Sequence, residues 1–130
     1  AIAAIVFQQG DEMLRRLKPL YDAEISSAGR SDVLRFCLLY RFGGVYVDAD
    51  ALWLGPPASL DHFVAGASFV AAWEDKYTLF VATGILGSAP RGAVVRRVLE
   101  RQSQLSAHCR KDLERKPWDA LALGALTHAL

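Results

Sequence analysis

Asp48 and Asp50, separated by one alanine, are the residues of this chain whose types and spacing most directly suggest chemistry. Two carboxylates so close repel each other unless a cation or a shared proton lies between them. Magnesium- and manganese-like ions prefer oxygen ligands, and an ion held by one or two carboxylates usually completes its shell with water and substrate phosphates. The pair therefore reads as an incomplete site that a diphosphate would finish. Alone it is a weak signal, because Asp-x-Asp is common by chance and a solvated turn is its ordinary explanation. A second charged pair lies upstream. Asp32 and Arg35 are three residues apart and share a face if their segment is helical; the plain explanation for them is an internal ion pair.

The elements that must position these residues are legible locally. Residues 31–41 predict a helix, with Ser31 as N-cap and Asp32 in the first turn. Its apolar residues, Val33 through Tyr40, run almost all the way round, so the helix should be buried on most sides, a setting in which charges need partners. Gly43 and Gly44 follow, where a left-handed residue commonly ends a helix and a missing Cβ permits close backbone approach. Val45-Tyr46-Val47 then predicts a short strand with Tyr46 and Asp48 on one side. If the pleat persists, Asp50 faces that side as well, before Gly55-Pro56-Pro57 closes the segment.

The composite is far more specific than its parts. Ser31-Asp32-x-x-Arg35, then Leu39, Gly43-Gly44, Tyr46, Asp48 and Asp50, resembles without a gap the glycosyltransferases whose sugar-binding region contains the DXD motif, the family 32 group. It is also similar to the glucosyltransferase domains of large clostridial toxins. The resemblance implies a GT-A-like α/β fold and transfer of a sugar, with retention, from a nucleotide-diphosphate donor (a UDP-sugar or GDP-mannose) to a hydroxyl of a glycan, lipid or protein acceptor. It further implies Mn2+ or Mg2+ as cofactor, with Asp50 as direct ligand and Asp48 binding metal through water or contacting the ribose. Tyr46 would pack near the nucleotide, and Asp32 and Arg35 would hold donor-sugar hydroxyls. No carboxylate nucleophile stands out, so retention comes from the resemblance alone.

Two departures from the family pattern are visible. Thr83-Gly84-Ile85-Leu86-Gly87-Ser88 stands where relatives often carry an Asn before small residues, and Leu121-Ala122-Leu123 stands where they often show Thr-Gly-Pro. Two other readings compete. A non-catalytic or degenerate nucleotide-sugar-binding fragment would preserve the same residues. A haloacid-dehalogenase-type phosphatase also opens with a strand ending in Asp-x-Asp, but Leu52 stands where that chemistry expects Thr or Val, no clear Gly-Asp or Asp-Asp motif follows, and the Asp32/Arg35 pattern would be left unexplained.

The rest of the chain sets bounds. At 130 residues, 52% hydrophobic and 22% charged, it is enough for one domain with a real core. A net charge of +1 and the absence of any long basic run give nucleic-acid binding no support. No apolar run reaches the ~18 residues of a membrane span. The opening AIAAIVF lacks a basic leader, so it predicts a buried strand rather than a signal peptide. With no targeting signal visible, a cytoplasmic location is the default expectation, and the missing initiator Met suggests a chain that begins inside a longer protein. Cys37 and Cys109 are too few for a disulfide framework, and His62, His108 and His128 have no metal-ligand spacing.

Residues 11–22 predict a helix that Pro19 should kink or end. Residues 24–30 read as a polar approach to Ser31, and residues 59–63 as a short helix. Strands follow over 68–73 and 78–86, joined by a turn at Glu74-Asp75-Lys76, where a solvated hairpin tip is favoured over a substrate contact. An amphipathic helix covers 92–106, followed by a charged connection over 111–116 and an apolar segment from 118 to 126. The expected organisation is a single, partial GT-A-type domain over 1–130, a mixed sheet flanked by helices, with its core motif region at 31–57.

Overall fold

Helical spacing of large apolar residues sets the first packed face of the computed structural model, which describes residues 2–7, 10–73, 81–108, 121–127 and 129–130. Helix α2 (Glu12–Ala23) buries Leu14, Leu17 and Leu20 on one side, and the Asp11 side chain caps it by accepting from the Met13 amide at 3.0 Å. Pro19 neither ends nor divides the helix. It lies on the exposed face, and the ~3 kcal/mol cost of an interior proline is smaller than the gain from burying three leucines at ~1.5–3 kcal/mol each.

The opening segment is helix α1 (Ile2–Phe7), not the expected strand. Its residues do not alternate. Ala3, Val6 and Phe7 turn to the core at helical spacing while Ile2 and Ile5 stay exposed, and an alanine-rich run favours that geometry over a pleat.

Helix α3 (Ser27–Phe42) starts four residues before the predicted Ser31 boundary, because Ser26 and not Ser31 is the cap. Ser26 Oγ accepts from the Gly29 amide at 2.9 Å, while the buried Glu24 carboxylate accepts from both the amide and the hydroxyl of Ser26. Gly29 makes this elbow possible: a Cβ there would come within 2.5 Å of Glu24 Cδ. From residue 31 to 41 no side chain of α3 is fully exposed, as the all-round apolar pattern requires. Gly43 ends the helix at φ +66°, and its missing Cβ leaves room for Pro90, which would otherwise lie 2.6 Å away.

Three described strands, β1 (Gly44–Val47), β2 (Phe69–Trp73) and β3 (Val81–Ser88), form an antiparallel sheet in the order β1-β3-β2. Leu86 of β3 is fully buried against the helices. By alternation its neighbour Gly87 faces away, and there helix α4 (Ala58–Val64) covers the sheet, with Val64 only 2.5 Å from where a Gly87 Cβ would sit. Helix α5 (Ala93–His108) packs on α2 and α3 through Val95, Val98 and Leu99, and the short α6 (Leu123–Thr127) lies against α5 and β3. The α/β class expected from the sequence is the one found. The predicted tip at Glu74–Lys76, the connection over 111–116, Cys109 and His128 lie outside the described residues.

Candidate functional site

The site forms where the second and third turns of α3 meet the end of β1 and an irregular stretch of β3. Between Ala71 and Trp73, two residues along β2 correspond to five along β3, from Leu86 back to Val81. Residues 82–85 are thereby released from regular pairing with β2. Gly84 offers its carbonyl to the Asp48 amide at 2.8 Å, and Thr83 turns toward α3.

Arg35 is the hub of what results. Its side chain is 8% exposed, and Nη2 lies 2.9 Å from Asp32 Oδ1 and 3.3 Å from Asp48 Oδ1. Nη1 donates to both the carbonyl oxygen and the hydroxyl of Thr83, at 2.9 and 3.0 Å. The guanidinium stacks over the Tyr46 ring with its carbon 4.9 Å from the centroid, a cation–π contact that strengthens as water is excluded. Only Nε, also buried, lacks a partner among the described residues.

Asp48 is held from a second side. The Tyr46 hydroxyl donates to Asp48 Oδ1 at 2.6 Å, and with that proton committed, Ser31 Oγ donates to Tyr46 Oη at 3.3 Å. Burial pushes the Tyr46 phenol above its ordinary pKa near 10, and the hydrogen bond to the Asp48 carboxylate pushes it further. The Ser31 hydrogen bond and the Arg35 charge pull the other way without cancelling the rise. Ser31 thus belongs to the site as a donor to Tyr46, not as the helix cap its position suggested.

Asp32, Arg35, Tyr46 and Asp48, singled out from the sequence, therefore share one hydrogen-bonded network. Asp50 does not join it. The strand pleat stops at Val47, and residues 48–51 form a turn closed by the Ala51 amide donating to the Asp48 carbonyl at 3.0 Å. The condition on which pleating would set the side that Asp50 faces is therefore not met, and Asp50 is exposed, with no hydrogen bond or ion pair among the described residues. Beyond the turn, Trp53 Nε1 lies 3.3 Å from Ser59 Oγ and its ring meets Phe63 edge-on, tying the acidic turn to α4.

Two contributors were not legible in the sequence. Thr83 lies 48 residues from Arg35, and no local pattern marks it as an acceptor. Gln102 of α5, fully buried, donates to the carbonyl of Asp32 at 3.3 Å and also to that of Leu121; a polar residue in an amphipathic helix gives no hint of burial. The stretch 83–88 that departs from the family pattern thus has a structural content, since the Thr83 hydroxyl accepts from Arg35.

The donor set suits a hard divalent cation. Asp48 Oδ2 has no hydrogen-bond partner among the described residues and lies over Gly84, where a Cβ would come within 3.2 Å of it. Asp50 adds an exposed carboxylate next door. Among the described residues no three His, Cys, Asp or Glu side chains gather into a metal cage, so an ion here would draw its remaining ligands from water and substrate oxygens.

The fold places the chain in a structural class. It aligns with the solved structure of the PaToxG glycosyltransferase with a TM-score of 0.64 over 92% of this chain, at 17% identity. The chain spans 44% of that structure's length. The sequence then defines the family: the profile described as glycosyltransferase sugar-binding region containing DXD motif matches residues 3–70, more than half of the chain. The protein belongs to that family. No curated protein matches the chain. No helix among the described residues is long and apolar enough to cross a membrane.

Proposed function

We propose that the protein is a metal-dependent, retaining glycosyltransferase that moves a sugar from a nucleotide-diphosphate donor to a hydroxyl of a glycan, lipid or protein acceptor. The observation that carries this reading is the shared network of Asp32, Arg35, Tyr46 and Asp48, with the Asp50 carboxylate exposed beside it. Charges on an otherwise apolar helix have a use if they face a polyhydroxylated ligand.

Asp32 and Arg35 hold donor-sugar hydroxyls, Tyr46 and Asp48 flank the nucleotide, and Asp48 and Asp50 hold Mn2+ or Mg2+. Such an ion, when bound, stabilises the negative charge that develops on the departing diphosphate. The chain's own residues do the rest. Arg35 and Tyr46 fix Asp48 Oδ1 in advance, so that Oδ2 is presented without reorganisation, a benefit wherever charge develops in the reaction. Asp32, at 15% side-chain exposure, accepts hydroxyl hydrogens from a sugar while staying paired with Arg35.

Calorimetric titration of the intact protein with UDP-glucose, UDP-galactose and GDP-mannose, with and without manganese, tests this reading. One donor should bind in a manganese-dependent way, and an Asp48→Asn/Asp50→Asn double variant should lose that binding. Failure of every donor to bind the folded protein would refute it.

A further inference from the structure

Thr83 has no assigned role, yet it supplies two of the four polar contacts that hold the guanidinium at the centre of the site. Its carbonyl and hydroxyl both accept from Arg35 Nη1, and it is only 5% exposed. On the opposite side of the guanidinium, Asp32 and Asp48 share Nη2. Arginine has five N–H donors in a rigid fork. Here both terminal nitrogens are engaged, and Nε is buried without a partner among the described residues. The fork is thus seated by what grips each end. At the Nη2 end the grip is made by Asp32 and Asp48, the carboxylates that the proposed function assigns to the sugar and the metal. At the Nη1 end it is made by Thr83, which the irregular stretch of β3 turns away from β2 and toward α3.

We infer that Thr83 is a positioning residue for the donor sugar, acting through Arg35: its hydroxyl sets the orientation of the guanidinium, and hence which sugar hydroxyls the Asp32–Arg35 pair accepts. The inference rests on the proposed function and deepens it. Thr83 touches neither the metal carboxylates nor the nucleotide side of the network. It reaches Asp48 and Tyr46 only through Arg35, so loss of its hydroxyl should fall harder on the sugar than on the bare nucleotide, whereas a merely structural role would weaken both alike.

The test compares Thr83→Val, which keeps the shape and the carbonyl but loses the hydroxyl, with Thr83→Ser, which keeps the hydroxyl. Binding of UDP-glucose, UDP-galactose and GDP-mannose to the intact protein is measured beside binding of UDP and GDP, all with manganese. A hydrogen bond to a charged group is worth enough that Thr83→Val should weaken the nucleotide sugar about tenfold. UDP or GDP affinity should stay within about twofold of wild type, and Thr83→Ser should restore sugar affinity. Unchanged sugar binding in Thr83→Val overturns the inference, as does equal weakening of sugar nucleotide and bare nucleotide, which would mark Thr83 as part of the scaffold only. A wild-type protein that binds none of the three donors overturns the reading of the site itself.

Discussion

Replacing Arg35 by methionine separates the two things its guanidinium does. Methionine keeps much of the apolar stem that packs in α3 but removes every charge and donor. Asp32 and Asp48, at 15% and 31% side-chain exposure, would then face each other without the cation they share, and both acceptors of the buried Thr83 would lose their donor. Removing one partner of a buried ion pair costs ~3–5 kcal/mol. The partial exposure of Asp48 lets water relieve some of that loss, so about 3 kcal/mol is the reasoned value. In a chain of 130 residues this corresponds to a melting temperature lower by roughly 10 °C. The assay is thermal unfolding followed by circular dichroism, run on Arg35→Met, Asp48→Asn and the double variant. Neutralising Asp48 in the methionine background should recover about 1–2 kcal/mol, because one of the stranded charges is gone. Arg35→Lys should fall between wild type and methionine, since an ammonium cannot reproduce the two-ended fork. An Arg35→Met protein that melts within about 2 °C of wild type would refute the reasoning, as would a double variant no more stable than the single one.

Gly84→Ala places a methyl group 3.2 Å from Asp48 Oδ2, so the carboxylate must shift by a few tenths of an ångström; manganese-dependent donor binding should weaken about tenfold, with melting nearly unchanged, and calorimetry beside thermal unfolding checks both. Tyr46 bears on stability at alkaline pH. Because its folded phenol keeps its proton beyond the ordinary range, the unfolded chain releases that proton first as pH rises past about 10. This contribution is therefore neutral below pH ~10 and lowers stability above it. Tyr46→Phe should show a shallower loss than wild type in urea unfolding between about pH 10 and 11, and identical slopes would count against the hydrogen-bonded arrangement.

The motif residues were readable because their placement is local. Asp32 and Arg35 share a helix face whichever serine caps the helix, and two glycines followed by Val-Tyr-Val specify a chain reversal and a strand. What escaped the sequence depended on competition or distance. Ser26 and Ser31 are both acceptable caps, and the decision in favour of Ser26 came from Glu24, whose buried carboxylate binds it. The AIAAIVF segment, a short apolar run, fits a strand or a helix by length and hydrophobicity alone; its alanines and the burial of Val6 and Phe7 decide for the helix. Pro19 read as a breaker because the propensity penalty is local, whereas the leucines that outweigh it act through tertiary burial. The pleat does not continue beyond Val47, so alternation along the strand could not set the direction of Asp50. Thr83 and Gln102 are joined to the site only by the fold.

Arg35 and Asp50 differ in how they would tolerate neutral drift. One guanidinium links α3 to Asp48 beyond β1 and to Thr83 in β3, so most replacements of it carry a folding penalty that selection for mere persistence would remove. Asp50 makes no such contact among the described residues, and its loss is nearly silent for the fold. In a lineage no longer selected for activity, Asp50 would disappear first while Asp32 and Arg35 survived as architecture. Presence of the helix pair alone is thus a poor sign that a relative is still an enzyme, and the second aspartate of the acidic turn is the better one.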